Sequence, residues 1–446
     1  MAKAFYLPSL SPDFSLVMRV ISYQQKNFRS AIRKLDRRSQ PLEQVEKTVS
    51  EVIAAVRTDG DKALLAFAEK FDGVTFRNGK AMRVTDAELD AADKLVDAKT
   101  KRAITTSRKN VTAFAKLSLR KNWTAKNVQG AQVGEVFQPF QRVGLYVPGG
   151  TAPLVSSATM TVALAAAAGC PEIVVCTPPQ KDGKVNPALL HALRAAGATE
   201  IYKVGGAQAI AAMAIGTKTI APVVKIYGPG NSYVVEAKRQ TFGMVAIDLL
   251  PGPSEIVVMA DDSARPEFIA ADLLAQAEHG RDSEIGFITD SPALIEAVEK
   301  EIEIQSATLS RQGPLREVIA DRCWLVLVEK LEDGVDIVNG FAPEHLSLIS
   351  RNEKSLVPQI RTAGAIFLGN WSPVAVGDFL AGPSHELPTG GAGKSFPGLT
   401  VDQFQRRTSI VKLDRAAIAK SAPIVEAFAA VEGLDAHGNS ATIRLK

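Results

Sequence analysis

The sequence predicts an α/β fold with two Rossmann-like parallel-sheet domains, an N-terminal helical layer and a C-terminal helical tail. Three observations carry this prediction. From Arg142 onward, short β-branched runs alternate with alanine-rich helical stretches, which is typical of βαβ units. A second alternating set of similar size follows from Glu255, which indicates a duplication of one sheet. Glycine-rich turns separate the strands of the first set from the helices that follow them.

The region before the first sheet is predicted to be helical. Residues 1–25 show no strong period and are predicted to form a loose arm, and residues 26–140 form the helical region. Apolar residues recur at helical spacing up to a stop at Gly60, namely Leu42, Val45, Val49, Val52, Ile53 and Val56. Another helix is predicted to start at Thr85, followed by an acidic first turn. We interpret these helices as a packing layer.

Ten short segments are predicted to be strands. Residues 141–250 form the first Rossmann-like domain, with strands at 143–147, 172–176, 200–204, 224–227 and 245–249. Residues 251–383 form the second, with strands at 255–259, 284–289, 324–328, 346–350 and 365–368. Residues 384–446 are rich in glycine and proline up to Gly398, then helical through Ala430, and end in a polar tail. A tail without a core of its own is expected to dock on another surface, such as a partner subunit.

The composition argues against several classes of function. The net charge of +4 comes from 52 basic and 48 acidic residues without a basic run, which gives no footprint for nucleic acid. The longest apolar stretch, around residues 162–168, is shorter than a membrane span, and the N-terminus lacks a signal-peptide pattern. Cys170, Cys176 and Cys323 lie in apolar settings, which predicts reduced core thiols of a cytoplasmic protein without a catalytic role.

Histidine is rare in this chain, and most of it lies near acidic residues. Four of the five histidines fall in short polar clusters of the C-terminal part, at His279, His345, His385 and His437. Imidazole, carboxylate and amide groups are what a metal site with an adjacent acid or base requires. The clusters therefore predict a catalytic metal centre.

A metal site with nitrogen and oxygen ligands is one interpretation of these clusters. Gln276 and His279 are three residues apart on a predicted helix, so they lie on one face and can share a metal ion. With Asp378 and His437 they form a set that suits zinc, although a glutamine amide is an unusual zinc ligand. The structural alternatives are a histidine at a helix C-terminus, an aspartate that caps a turn and a solvated tail.

Glu344 and His345 are adjacent at the predicted start of a strand. Because successive strand residues point to opposite sides, the two side chains are predicted to face apart, unless the turn before them is irregular, and to accept protons separately rather than as a bonded dyad. The alternative is a solvated strand start without a chemical role.

The glycine turns of the first sheet raise the question of a nucleotide. The turns at 148–151, 205–208 and 228–231 each follow a predicted strand and precede a helix, which lets backbone amides approach a ligand. No G-x-G-x-x-G fingerprint is present, so simple tight βα turns remain the alternative. A P-loop ending at Ser395 is rejected, because Pro388 stands where its first glycine is needed.

Taken together, these motifs resemble the histidinol dehydrogenase family. The resemblance covers about residues 42–444 and rests on 146–150, 205–210, 228–231, 252–255, 276–279, 344–345, 377–378, His385 and 432–437. It implies a four-electron oxidation of L-histidinol through histidinaldehyde to L-histidine, with two NAD and one water, in histidine biosynthesis. It also implies one zinc ion per subunit and a homodimer whose active site is shared between the subunits.

The resemblance further implies roles for individual residues. His345 would take the alcohol proton, and Glu344 would activate water to attack the aldehyde. Zinc would be held by Gln276, His279, Asp378 and His437. The substrate would contact Ser254, His385 and Glu432, and NAD would contact Tyr146, Gln208 and Asn231. Glu432 and His437 would be supplied by the other subunit, which gives the coreless tail a function.

Departures from the family pattern leave alternatives open. Glu386 follows His385 where an apolar residue is expected, so a related zinc- and NAD-dependent dehydrogenase of another polyol or a sulfonated diol is the alternative. The presence of His385 and Glu432 favours histidinol. A metal-dependent hydrolase would use Glu344 to activate water without NAD, and the glycine turns argue against it. A non-catalytic scaffold would need neither Glu344 nor His345.

Overall fold

The structure of the protein is a computed structural model that describes residues 18–36, 43–149 and 153–446. Its strands are β1 (Arg19–Ser22), β2 (Trp123–Lys126), β3 (Gln132–Pro139), β4 (Arg142–Tyr146), β5 (Glu172–Thr177), β6 (Glu200–Lys203), β7 (Lys225–Tyr227), β8 (Ala246–Ile247), β9 (Glu255–Ala260), β10 (Glu284–Thr289), β11 (Cys323–Leu327), β12 (His345–Ile349), β13 (Ala365–Leu368) and β14 (Gln405–Lys412).

The α-helices are α1 (Phe28–Arg33), α2 (Glu43–Asp59), α3 (Asp61–Phe67), α4 (Asp86–Leu95), α5 (Ala98–Ser118), α6 (Val155–Ser157), α7 (Ala163–Ala168), α8 (Pro187–Ala196), α9 (Gly206–Ile215), α10 (Ser232–Thr241), α11 (Pro266–Ala277), α12 (Pro292–Ser306), α13 (Gln312–Asp321), α14 (Gly334–Phe341), α15 (Glu353–Leu356), α16 (Val374–Phe379), α17 (Arg415–Glu432) and α18 (Asp435–Thr442). Short π-helical turns continue α3 (Ala68–Asp72) and join α6 to α7 (Ala158–Val162).

The two large sheets are parallel and share one strand order. The five-stranded sheet runs β6-β5-β4-β7-β8, and the six-stranded sheet runs β11-β10-β9-β12-β13 with β1 beside β11. In each sheet the first strand of the set is central, the next two lie on one side, and the last two lie on the other. The predicted α/β fold with two parallel sheets is therefore confirmed, and the shared order is what a duplication predicts.

All ten predicted strands of these sheets are present, with ends that shift by at most two residues. They can be recognised from sequence because helices cover both faces of a parallel sheet, so a central strand is apolar without alternation. The clearest case is β9, which is buried at all six positions.

The N-terminal helices cover the first sheet, as the packing-layer interpretation predicts. Helix α2 packs against α9 and α10, and α5 packs against α7. On α2, Val49 and Val56 are fully buried in the core that these helices share with the sheet. Helix α4 begins after Thr85, whose hydroxyl accepts from the Glu88 N–H while the Glu88 carboxylate accepts from the Thr85 N–H.

Two strand regions were not predicted from the sequence. Part of the arm at residues 1–25 is the strand β1, which pairs in parallel with β11, while residues 1–17 lie outside the described residues. A third, antiparallel sheet runs β14-β3-β2, so the helical predictions for 26–140 and for the segment up to Ala430 are wrong at these strands. Strand β14 is polar and largely exposed, and only its pairing with the distant β3 makes it a strand.

The three cysteine thiols are buried and unpaired, as predicted. Burial raises the pKa of each thiol, to about 11 for Cys170 and about 12 for Cys323. A buried thiol with a raised pKa is a poor nucleophile, which agrees with the absence of a predicted role in catalysis. Among the helices that the structure describes, none combines the length and the apolar character that a membrane crossing requires.

A bidentate ion pair ties strands of the first sheet together at their amino ends. Arg142 begins β4 and donates to both oxygens of Glu200, the first residue of β6, at 2.8 and 3.0 Å. The Tyr202 hydroxyl also donates to Glu200, at 2.6 Å. The hydrogen bonds from Arg142 outweigh burial and lower the pKa of Glu200 to about 2. The ionised carboxylate therefore stabilises the folded protein.

We predict that Glu200→Gln lowers the free energy of unfolding at neutral pH by about 1–2 kcal/mol, because the charged hydrogen bonds are lost. The contribution of a carboxylate with a lowered pKa is complete above its ordinary value of 4.5 and is lost as the pH falls toward 2. The difference between wild type and variant should therefore shrink over this range, as measured by denaturant unfolding at several pH values. A constant difference would contradict the role of the charge.

Candidate active site

The candidate catalytic residues, Glu344 and His345, lie at the amino end of one strand of the second sheet, β12. His345 is the first residue of β12, and Glu344 directly precedes it; both side chains are buried. The prediction that they face apart is wrong, because His345 Nδ1 lies 3.5 Å from Glu344 Oε2. The turn before them is irregular: Ala342 has φ +56°, in the left-handed region, and Pro343 follows it. Strand alternation therefore does not yet apply at Glu344.

The backbone of one residue, Glu255, holds both side chains. Its N–H donates to Glu344 Oε2 at 2.8 Å, and its carbonyl accepts from His345 Nδ1 at 3.1 Å. Because Nδ1 faces a carbonyl acceptor, it carries a proton, and Nε2 is the nitrogen that can accept one. His345 Nε2 in turn lies 3.4 Å from Asp378 Oδ1. The predicted residues Glu344, His345 and Asp378 therefore converge.

Burial and mutual charge shift the pKa values of these groups. Burial raises the pKa of Glu344 to about 8, so its carboxyl group can exchange a proton near neutral pH. Burial alone would lower the pKa of His345, but the neighbouring carboxylates Glu344 and Asp378 outweigh burial and raise the pKa above its usual range. Perturbed groups packed against one another are typical of catalytic sites.

The end of α11 supplies the next part of the cluster. Gln276 is buried in the last turn, and its Nε2 has no hydrogen-bond partner among the described residues. His279 was predicted to lie on this helix, but α11 ends at Ala277 and His279 lies two residues beyond it. Its exposed side chain is within electrostatic reach of Asp378 and His345. Asp378 lies on α16, which packs against α11. Gln276 and Asp378 thus lie on two helices that are in contact, and His279 follows the first of them.

His385 is fixed beside the cluster by three polar contacts. Its Nδ1 donates to the Asp378 carbonyl at 3.0 Å, and its Nε2 lies 3.2 Å from Ser157 Oγ and 3.3 Å from Glu386 Oε1. The unexpected carboxylate of Glu386 is buried against the imidazole of His385. Ser254, predicted to contact substrate, directly precedes β9 at the same edge of the sheet.

The three predicted NAD contacts lie at the carboxyl edge of the first sheet. Tyr146 ends β4, and its hydroxyl accepts from the Gly206 N–H at 3.1 Å. Gln208 is buried in the first turn of α9, and Asn231 caps α10 by accepting from the Tyr233 and Val234 N–H groups. Strands β4 and β7 flank the point where the strand order reverses, which is where open α/β sheets bind ligands. Gly150 and Thr151 of the first glycine turn lie outside the described residues.

Two predicted site residues lie apart from the cluster. Glu432 ends α17 and His437 lies on α18, both with exposed side chains. Within the described parts of the chain, no three His, Cys, Asp or Glu side chains are grouped to hold a metal ion. A single copy of the chain therefore brings together only part of the predicted metal set.

Sequence reasoning missed several residues that support the site. Glu255 acts through its backbone, and Ser157 lies on α6, far from His385 in the sequence. Asp272 lies on α11 and accepts from the Val374 N–H at the start of α16, and burial raises its pKa to about 6. Ser157 and Asp272 lie in no motif of the sequence analysis, and Glu255 belongs to the 252–255 motif but was given no role there, so only the tertiary contacts identify what each residue does.

Comparison with known proteins identifies the family of this chain. The family model described as Histidinol dehydrogenase matches residues 35–445. The chain is 41% identical to histidinol dehydrogenase of Xylella fastidiosa over 431 residues, which is 96% of this chain and 99% of that protein. It is 43% identical to that of Geobacillus kaustophilus over 404 residues, 91% and 95% of the two chains. The chain belongs to the histidinol dehydrogenase family.

A solved structure supports the same assignment. The crystal structure of histidinol dehydrogenase from Elizabethkingia anophelis superposes with a TM-score of 0.92 at 34% identity and covers 96% of this chain and 98% of that chain. The histidinol dehydrogenase fold therefore extends over nearly the whole chain. The protein is an oxidoreductase of histidine biosynthesis that converts histidinol to histidine.

A close backbone contact at Glu344 generates a test of the site geometry. A Cβ at Gly364 would lie 2.6 Å from the Glu344 carbonyl oxygen, so Gly364→Ala must displace the backbone that carries Glu344. We predict a loss of about 10- to 100-fold in kcat/KM, since small displacements of catalytic groups are costly. The measurement is steady-state NADH formation with histidinol.

Gly340→Ala is the matched control for this substitution. Gly340 lies on α14, and a Cβ there would meet nothing within 4 Å. It should keep wild-type activity and gain about 0.5–1 kcal/mol in stability. Equal activities of the two variants would contradict the importance of the contact with Glu344.

Proposed function

We propose that the protein carries out both oxidations of histidinol at one zinc-containing site, with His345 and Glu344 in separate roles and two NAD as hydride acceptors. The observation that carries the proposal is the paired attachment of both side chains to the backbone of Glu255. This attachment aims one imidazole nitrogen and one carboxylate oxygen into the same buried site.

His345 would be the base in both oxidations. Its Nδ1 donates to the Glu255 carbonyl, so once the ring has lost its second proton the lone pair lies on Nε2. In the first oxidation, Nε2 takes the proton of the alcohol while the hydride on the same carbon passes to NAD. The products are histidinaldehyde and NADH.

Glu344 would serve the hydration step between the two oxidations. Its Oε2 accepts from the Glu255 N–H, which leaves Oε1 to take a proton from water as the water attacks the aldehyde carbon. The protonated His345 returns its proton to the aldehyde oxygen, and the hydrate that forms then loses a proton to His345 and a second hydride to the second NAD, which yields histidine. A carboxyl group whose pKa is raised to about 8 is suited to hold and release this proton.

The donor set of the site suits zinc. Gln276, His279 and Asp378 would supply amide oxygen, imidazole and carboxylate ligands, and His437 of a second subunit would complete four. The amide group of Gln276 is buried without a partner for Nε2 among the described residues, and its two ends are interchangeable by rotation, so its oxygen can face an ion. Bound zinc would hold the imidazole and amine of the substrate.

The substrate contacts would come from Ser254, His385 and Glu432. Ser254 lies beside Glu255, and the ring of His385 is held by Asp378 and Glu386. Because the Glu386 carboxylate contacts His385, its presence is compatible with histidinol as the substrate. NAD would lie at the carboxyl edge of the first sheet against Tyr146, Gln208 and Asn231.

A homodimer with shared active sites would complete this arrangement. Helices α17 and α18 pack against each other and expose a set of large apolar side chains, namely Ile424, Phe428, Val431 and Leu434. Exposed apolar residues of this kind mark interaction surfaces. Burial of this set against a second copy would bring Glu432 and His437 to the partner's cluster, where a single chain lacks them.

The two proton acceptors can be separated by half-reaction. We predict that His345→Asn slows the oxidation of histidinol and of supplied histidinaldehyde by about 100-fold or more. Glu344→Gln should slow the oxidation of histidinaldehyde far more than that of histidinol, because only the hydrated aldehyde requires water activation. NADH formation in single turnovers with each substrate measures both steps.

Glu200→Gln is the control for the change from carboxylate to amide, and it should leave both half-reactions intact. An equal loss of both half-reactions in Glu344→Gln would contradict the proposed division of roles.

Mixing of inactive subunits tests the shared site. We predict that His345→Asn and His437→Ala are each inactive, and that the latter is purified without its full zinc content. Refolded together, they should recover about a quarter of wild-type activity, since half of the dimers are mixed and each mixed dimer has one intact site. The measurement is NADH formation by the refolded mixture.

Each variant refolded alone is the control and should remain inactive. A mixture that stays inactive while mixed dimers form would contradict the shared site and place all ligands within one chain.

A further inference from the structure

The most deeply buried charges of the first sheet are Lys238 and Asp248. The exposed fractions of their side chains are 0% and 2%, and Lys238 Nζ and Asp248 Oδ1 are in direct contact. Lys238 lies on α10, and Asp248 follows β8. Because apolar residues of similar size often stabilise a core as well as a buried ion pair, this pair calls for a reason other than stability.

Both charged side chains form hydrogen bonds with the backbone of the same residue, Gly228. Asp248 Oδ2 accepts from the Gly228 N–H at 2.7 Å, and Lys238 Nζ donates to the Gly228 carbonyl at 2.9 Å. Both backbone polar groups of this loop residue are therefore bonded to charged side chains. Charged hydrogen bonds are stronger and geometrically tighter than neutral ones.

Gly228 is where the loop after β7 touches the end of β4. It has φ +108°, and a Cβ there would lie 2.1 Å from the Tyr146 carbonyl oxygen. Three residues later, Asn231 caps α10. Fixing Gly228 therefore fixes the separation between Tyr146 and Asn231, the two candidate NAD contacts that flank the reversal of the strand order.

We propose that Lys238 and Asp248 are positioning residues for the dinucleotide, which act through Gly228 to hold the 228–231 loop against Tyr146. This inference rests on the proposed NAD site, since it assigns a role to groups that do not touch the cofactor. It explains why a charged pair lies at the carboxyl edge of the first sheet and under one particular loop.

The chain offers a matched control in the ion pair of Arg142 and Glu200. It joins strands of the same sheet at the opposite, amino edge, where no candidate cofactor contact lies. Asp248→Asn and Glu200→Gln each convert one carboxylate of an ion pair to an amide. Both variants lose an ion pair of this sheet, but only Asp248→Asn disturbs the position of the 228–231 loop. A comparison of the two therefore isolates the effect of the loop position.

The experiment measures the equilibrium affinity for NADH by fluorescence, together with the KM values for NAD and histidinol and kcat. In Asp248→Asn the dissociation constant for NADH and the KM for NAD should rise about tenfold, the cost of one misplaced hydrogen bond. The KM for histidinol should change by less than about twofold. In Glu200→Gln the affinity for NADH should equal that of wild type, although the protein is less stable.

A second variant guards against the case in which Asp248→Asn leaves a lone buried charge and does not fold. Lys238→Met combined with Asp248→Leu removes both charges, so a folded protein is expected, and it should show the same loss of NADH affinity. Wild-type NADH affinity in either folded variant would overturn the proposal and leave the proposed function intact. Failure of the wild-type protein itself to bind NADH would overturn the proposed function as well.

Discussion

The catalytic geometry depends on the backbone of Glu255 at the start of β9. This strand is the central one of the second sheet, is buried along its whole length and pairs with β10 on one side and β12 on the other. The N–H of Glu255 orients the carboxylate of Glu344, and its carbonyl orients the imidazole of His345. The Glu255 carboxylate also accepts from the Gly390 N–H at 2.7 Å, which ties in the loop after His385. Catalytic groups fixed to a central strand inherit the rigidity of the sheet.

The candidate site residues lie at opposite edges of the two related sheets. The candidate NAD contacts lie at the carboxyl edge of the first sheet, whereas Glu344 and His345 lie at the amino edge of the second. The segment between Asp248 and Glu255 joins these edges, and seven residues of extended chain span at most about 25 Å. At one end of this segment, Asp248 accepts from the Gly228 N–H in the loop of the candidate NAD site. At the other end, the Glu255 backbone bonds to the side chains of Glu344 and His345. The short connection therefore links the loop of the proposed NAD site to the proposed base, His345.

In the proposed dimer, a second copy of the chain supplies charged groups that the site of one chain lacks. His279 is exposed, and Glu432 and His437 project from a pair of helices with an apolar surface of their own. The proposed dimer would account for both observations, since the second copy would bring the exposed tail to the candidate metal ligands of the first. The buried groups Glu344 and His345 carry perturbed pKa values within the single chain, so the acid–base pair does not need the partner to be formed.

The sequence by itself determined the two parallel sheets, the helical layer and the polar clusters, because apolar runs between helices and rare histidines beside acids are local signals. Local periodicity failed at β14, a polar strand that exists only through its distant partner β3. It failed again at Glu344 and His345, where the left-handed Ala342 overrides the alternation of a strand. Only the tertiary structure decided the role of the Glu255 backbone and the bonds from Lys238 and Asp248 to Gly228. These contacts depend on backbone groups, whose position no side-chain pattern encodes.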